Sequence, residues 1–365
     1  MGLNCGIVGL PNVGKSTIYS ALTRAPALVA NYAFATIDPN VGIVDVPDPR
    51  LKQIAAYIPP QKLVPATVEI VDIAGLVKGA SQGKGRGNAF LTNIREVNAI
   101  IHVVRCFEDP DIEHVENRVD PANDMEIINL ELALADLSIV SKRIPQTEKL
   151  VKAQNKEAKE LFPILQKLQA VLDQGAPARS LDLTDEEKFA IRDLHLITLK
   201  PVIYVANVDE AGLTTESPHV GVVRARAQAE KSDVLVLCGK LEAEISLLDT
   251  EEDRREFLAE AGLDESGLAK LIRAVYQLLG LRTYFTAGET EVRAWTFHDG
   301  DRAPQAAGVI HTDFEKGFIK AEVYGFNDLM ELKSEAEIKA KGRLRIEGKE
   351  YPVQDGDIMH FRFNV

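Results

Sequence analysis

Five short apolar runs constrain this chain more than any other feature. They lie at 3–9, 67–73, 99–105, 201–206 and 233–238, and each is near-continuous rather than alternating. Strands covered on both faces read this way, and a parallel sheet between helical layers is where such strands occur. Helical patterns separate several of the runs. The expectation is an α/β protein with a doubly wound, mostly parallel sheet. One interval breaks the rhythm: about a hundred residues separate the run at 99–105 from that at 201–206. A crossover between parallel strands needs only about a dozen.

Much of that interval reads as helix. In IINLELALADLSIVSKRI, residues Ile127, Leu130, Leu134, Leu137 and Val140 recur at helical spacing. A second pattern, with Leu150, Leu161, Leu165, Leu168 and Leu172 among its apolar positions, runs to Gly175. Residues 127–199 are therefore expected to form an antiparallel helical hairpin inserted into the sheet domain. Lys142, Arg143, Lys149, Lys152, Lys156, Lys159 and Lys167 outnumber the acids around them. They suit either a solvated helix face or a surface for an acidic partner. After Leu281 the texture changes. Alternating stretches such as EVRAWTF and DIMHFRF, broken by glycine and turn residues, suit a compact strand-rich domain over 281–365.

The net charge of −13, from 42 basic and 55 acidic residues, argues against broad coating of nucleic acid, and no DNA partner is expected. A local basic patch remains compatible. Cys5, Cys106 and Cys238 are odd in number, widely spaced and form no C-x-x-C. A reduced, cytoplasmic chain is the simplest reading. No signal-peptide pattern opens the sequence, and no apolar run reaches the ~18 residues of a membrane span.

The chemistry starts at GLPNVGKST. It follows the first apolar run and opens a helical pattern. Gly9, Gly14, Lys15 and Ser16 fit G-x-x-x-x-G-K-[ST], the P-loop. Its glycines let main-chain N–H groups wrap a phosphate chain at a helix N-terminus. Lys15 would neutralise the β- and γ-phosphates and so serve catalysis, and Ser16 would ligate Mg²⁺. VEIVDIAGL ends its strand on Asp72, with Gly75 after it. Asp-x-x-Gly there places a carboxylate near the metal's water shell and an N–H near the γ-phosphate. Thr36, in the loop NYAFATIDPNVG, can complete the metal's coordination when the γ-phosphate is present. The glycine-rich run GLVKGASQGKGRGNAFL suits a second nucleotide-sensing loop.

Leu76 stands where Ras-type GTPases place a water-orienting glutamine. Hydrolysis then needs another group, and His114, in the loop DPDIEHVENRVDP, is one candidate. The Asn12 amide oxygen could help bind K⁺ beside the phosphates. At the other end of the site, VIYVANVDEAG ends a strand in Asn207, Val208, Asp209 and Glu210. A guanine-reading corner has Asn-Lys-x-Asp. Here valine replaces the lysine and the acid is one methylene longer, which favours adenine over guanine. Cys238-Gly239-Lys240 sits where GTPases have Ser-Ala-Lys, so the Lys240 stem could lie along the ring face.

Taken in order, GLPNVGKST, NYAFATIDPN, DIAGLVKGASQGKGRGNAFL, NVDE and GKLE resemble the YchF family of Obg-like ATPases, translation-factor-class P-loop proteins, over nearly the whole chain. The resemblance implies a P-loop domain over 1–280, interrupted by the helical insertion, and a TGS-like α+β domain over 281–365. It implies phosphate contacts from Asn12, Val13, Gly14, Lys15, Ser16 and Thr17, metal ligation by Ser16 and Thr36, and base contacts at Asn207 and Val208. It further implies a cytosolic ATPase that associates with ribosomes and influences stress responses. The sequence departs from the family pattern at Ala35, usually cysteine, and at Cys238-Gly239, usually Ser-Ala. Two other readings stay open. One is a ribosome- or RNA-binding module in which nucleotide only sets conformation. The other is a GTP-preferring member of the same class. A P-loop kinase lacks support, because neither an Arg-rich lid nor an acceptor site is visible.

Overall fold

The computed structural model describes residues 3–24, 41–73 and 87–364. Thr36, Gly75, Leu76, Ala35 and residues 77–86 of the glycine-rich run lie outside them. The strands, in chain order, are β1 (Asn4–Val8), β2 (Val41–Asp45), β3 (Lys62–Val64), β4 (Thr67–Asp72), β5 (Ala99–Arg105) and β6 (Val202–Asn207). They continue with β7 (Asp233–Leu237), β8 (Leu281–Ala287), β9 (Glu291–His298), β10 (Phe318–Gly325), β11 (Arg345–Glu347) and β12 (Asp357–Phe363). The helices used below are α1 (Lys15–Arg24), α2 (Pro49–Tyr57), α3 (Gly87–Glu96), α4 (Pro121–Lys152) and α5 (Lys156–Asp173). Among the described residues no helix is long and apolar enough to cross a membrane.

Backbone packing divides the chain into two units, Met1–Gly42 with Glu69–Leu271, and Ile43–Val68 with Ile272–Val365. One sheet has the order β2-β4-β1-β5-β6-β7. All five apolar runs of the sequence became strands of it. Each of β4, β5, β6 and β7 runs parallel to its neighbour, in the pairs β1–β4, β1–β5, β5–β6 and β6–β7. Every residue of β5 and β6 is buried, which explains their unbroken hydrophobicity. Parallel strands put their C-terminal ends on one edge, and that edge carries the site.

The expected helical hairpin is present with different bounds, and its first helix buries more than the apolar positions. Its first helix starts at Pro121, six residues ahead of the apolar pattern. Asp120 caps it by accepting from the Asn123 N–H at 3.2 Å, and proline suits the first helical turn. Leu130 is 43% exposed, whereas Met125, Ile128 and Leu132 are buried together with Asn129, Glu131 and Asp136. Val140 is buried and Leu137 packs on the hairpin core as the spacing implied, while the buried polar residues sit where an apolar count sees a gap. Asp136 accepts from the N–H groups of Ile197 and Thr198 at 3.0 and 2.8 Å and from the Thr198 hydroxyl at 2.7 Å. That ties the returning segment to α4. Asn155 caps α5 through the Ala158 N–H at 2.8 Å. Leu165, Leu168 and Leu172 of α5 are fully buried beside Ala133 and Val140 of α4, each worth ~1.5–3 kcal/mol of transfer energy. The lysines at 142, 149, 152, 156, 159 and 167 are exposed.

The second unit is built on a mixed sheet of order β11-β10-β12-β8-β9-β3. The stretches EVRAWTF and DIMHFRF are β9 and β12, as their alternation implied. Residues 43–68 also belong to this unit, beyond the span the sequence suggested. The reasons are local: β3 pairs parallel with β9, and Arg50 of α2 donates to the Asp355 carboxylate at 2.7 Å while Asp48 holds the same guanidinium. Tyr284, Phe297, Val323 and Met359 form its apolar core.

Candidate nucleotide-binding site

The loop after β1 turns back on itself before α1. Asn12 makes the turn with φ +62°, a left-handed conformation that asparagine tolerates better than most residues. Gly14 follows with φ +98°. A Cβ on Gly14 would also lie 2.2 Å from the Asn207 amide nitrogen, so glycine is demanded twice over. The first helical bond of α1 runs from Ile18 N–H to the Gly14 carbonyl at 3.0 Å. The side chains of Ser16 and Thr17 are exposed at this helix start, and Val13 is buried beneath it.

Lys15 is 7% exposed and donates to the Leu10 carbonyl at 2.6 Å. Burial lowers its pKa to about 8, against the opposing pull of the Asp72 charge. Asp72 ends β4 opposite Ile7 of β1. Burial raises its pKa, and the Lys15 ammonium works against the rise. Each charge therefore favours the other at the edge where a phosphate chain would lie. The Ser16 hydroxyl and the Asp72 carboxylate are hard oxygen donors of the kind Mg²⁺ takes. That ion uses one or two protein carboxylates and fills its octahedron with phosphate oxygens and water. Among the described residues no group of three or more His, Cys, Asp or Glu could hold a metal ion.

Asn207 is buried, and its side chain is committed to main-chain groups. Its Nδ2 donates to the Val13 carbonyl at 2.9 Å, and its Oδ1 accepts the Gly239 N–H at 2.8 Å. Asn207 thus ties the P-loop to the loop after β7. This bears on its expected base contact: both polar atoms of its side chain already have main-chain partners. Val208 is 3% exposed, so its side chain faces inward. Its N–H donates to the Leu237 carbonyl at 2.9 Å. Asp209 accepts from the Gly212 N–H at 2.8 Å. Glu210 and Lys240 remain exposed, with Oε1 and Nζ 3.9 Å apart.

His114 is not a free loop histidine. It is the only buried residue of the segment 107–120. Its Nε2 lies 3.0 Å from Asp124 Oδ2, and its Nδ1 accepts the Glu116 N–H at 3.1 Å. Both ring nitrogens are occupied, so orienting a water requires one bond to open. The sequence reading missed Asp124, which sits in the first turn of α4 and whose Oδ1 is buried without a hydrogen-bond partner. A carboxylate in a first helical turn is too common to stand out as a signal. Asn12 Nδ2 donates to the Glu113 carbonyl at 3.1 Å, which joins the same segment to the P-loop.

Comparison with known proteins bears on this arrangement. Residues 4–162 match a family described as 50S ribosome-binding GTPase, and residues 281–364 match the YchF GTPase C-terminal family, described as a protein of unknown function. The curated protein "Ribosome-binding ATPase YchF" of Bacillus subtilis is 54% identical over the whole of both chains. Its namesakes in Escherichia coli O157:H7 and Mycoplasma genitalium are 54% and 48% identical, again over both full lengths. A solved structure described as the Schizosaccharomyces pombe YchF GTPase superposes with a TM-score of 0.89 at 40% identity, covering 99% of this chain and 98% of that one. With its parallel sheet, its P-loop and full-length identity of this order, the chain belongs to the YchF family.

Proposed function

We propose that the protein is a Mg²⁺-dependent ATPase that prefers ATP to GTP and works in the cytoplasm as a ribosome-associated switch. The observation that carries this reading is the Asn207 tie between Val13 and Gly239. It makes the phosphate cradle and the base corner one site, so a whole nucleotide is the natural occupant. Ser16 would hold the metal directly and Asp72 through water, with Thr36 and the Gly75 N–H as further expected contacts. The ion would supply positive charge to the β- and γ-phosphates. Lys15 supplies more from the protein, already buried and oriented, which is how phosphoryl transfer is promoted.

The preference for adenine rests on Glu210. An aspartate in the guanine-reading pattern accepts two guanine N–H groups. Glu210 is longer, exposed and drawn toward Lys240. The relatives carry both names, ATPase and GTPase, so phosphate release must be measured with both nucleotides in parallel, with and without ribosomes. Faster release from GTP overturns the reading, and no release from either leaves only a binding module. Asn12 spends its Nδ2 on Glu113, which leaves Oδ1 to accept K⁺. Equal turnover in K⁺ and Na⁺ removes that role. Residues 281–365 are assigned as a TGS-like domain, and with the lysine-bearing hairpin they supply the ribosome contact. Deletion of 281–365 should weaken co-sedimentation with ribosomes more than it weakens nucleotide binding.

A further inference from the structure

Arg105 ends β5, opposite Asn207 of β6, and is 1% exposed. A charge so deeply buried normally has a carboxylate beside it. Here the hydrogen-bond partners among the described residues are carbonyl oxygens of a single loop. Nε donates to Phe107 O at 3.2 Å, Nη1 to Ile112 O at 3.0 Å and Nη2 to Asp109 O at 3.2 Å. The Phe107 ring lies 4.5 Å from the guanidinium carbon. Three carbonyls can converge on one planar fork only if the chain winds around it. Arg105 therefore dictates the path of residues 107–112.

The residues that come next make the contacts that matter. The Glu113 carbonyl receives Asn12 of the P-loop, and His114 is gripped by Asp124 and the Glu116 N–H. One peptide unit separates the last carbonyl held by Arg105 from that of Glu113. We propose that Arg105 is a positioning residue for hydrolysis: through the loop 107–112 it registers Asn12 and His114 against the phosphate cradle, and nucleotide binding does not depend on it. The proposal rests on the reading that this loop borders the site of hydrolysis.

Lysine keeps the charge at this position but cannot span three carbonyls, because an ammonium is a point donor. In the full-length protein, Arg105→Lys should lower kcat by roughly tenfold to thirtyfold, in keeping with what a small misplacement of reacting groups costs. Binding of a non-hydrolysable ATP analogue should stay within about threefold. Phe107→Leu leaves the arginine in place and weakens only its seat, so it covers the case in which Arg105→Lys does not fold; about a threefold loss is expected. Adding His114→Ala to Arg105→Lys should slow turnover no further than His114→Ala does alone. Wild-type kcat in both variants overturns the proposal. So does an analogue affinity that falls as far as kcat, which marks a merely structural arginine, and so do additive effects in the double variant. A wild-type rate in His114→Ala alone instead sinks the reading of the loop as hydrolytic, whatever the arginine variants do.

Discussion

The proposed phosphate end and the proposed base end of the site are built by opposite rules. At the phosphate end the charge is buried: Lys15 is 7% exposed and bonded to its own loop, and Asp72 is half-buried beside it. At the base end the charges stand in water, with side-chain exposures of 61% for Glu210 and 76% for Lys240. An exposed pair 3.9 Å apart contributes about 0–1 kcal/mol. A desolvated ammonium meeting phosphate oxygens contributes several times more. The site therefore invests in the part of the ligand that all nucleoside triphosphates share. Discrimination between bases is left to groups that water competes for, so it is expected to be modest.

Lys15→Ala is the largest perturbation of this contrast. Removing a buried charge proposed to meet two phosphates should weaken ATP binding by about a hundredfold or more, read in a nucleotide titration. Affinity within about threefold of wild type would dissolve the distinction between the two ends. Asn207→Ala comes next. It orphans the Val13 carbonyl and the Gly239 N–H, each worth ~1–3 kcal/mol when left unsatisfied. Because Asn207 holds loops rather than base, ATP and GTP should weaken alike, by about tenfold or more. A loss confined to one nucleotide would mean that Asn207 reads the base after all.

The base end itself should show a smaller effect. Wild type is expected to favour ATP over GTP by about tenfold to a few tens, the worth of one poorly made hydrogen bond. Glu210→Asp alone should narrow that ratio. Lysine at 208 is a poorer probe, since Val208 faces inward and a lysine there has to rebuild the corner. If the ratio does not move, the loop around Lys240 sets it.

The smallest effect is a fraction of a proton. Free Lys15 titrates at about 8, lowered from its ordinary value by burial. Phosphates favour the charged form, so its pKa is higher in the complex than in the free protein. Well below that pH the lysine is charged in both states and binding exchanges no proton on its account. As pH rises through it, binding takes up a growing fraction of a proton at Lys15, and affinity should fall. Calorimetry in buffers of different ionisation enthalpy measures this uptake. None at pH 9 would mean that Lys15 is no more buried, in effect, than the groups at the base end.

Much of this architecture was readable from residues close together in the chain. Five apolar runs announced five parallel strands, and a strand–glycine loop–helix order announced the cradle. Those signals are local, because a buried strand or a P-loop needs its residue types at fixed short spacings. On α4 the apolar count missed a second buried set that includes Asn129, Glu131 and Asp136. Asp136 is there for Thr198, 62 residues away, and periodicity cannot register such a partner.

The same limit governs the site. Sequence alone determined that the P-loop residues Gly14, Lys15 and Ser16 and the strand-end Asp72 would lie at the carboxyl edge of a parallel sheet. Only tertiary structure decided what Asn207, His114 and Arg105 do. Asn207 lies 194 residues from Val13 and 32 from Gly239, and spends its amide on both. His114 is buried against Asp124 although its neighbours in sequence are exposed. Arg105 looks like the charged end of a strand until the chain after it is seen to wrap the guanidinium. Spacing along a chain specifies which backbone forms. The partner a polar side chain finds depends on which distant segments the fold brings to it, and the cost of leaving a buried donor or acceptor unmet then makes that choice binding.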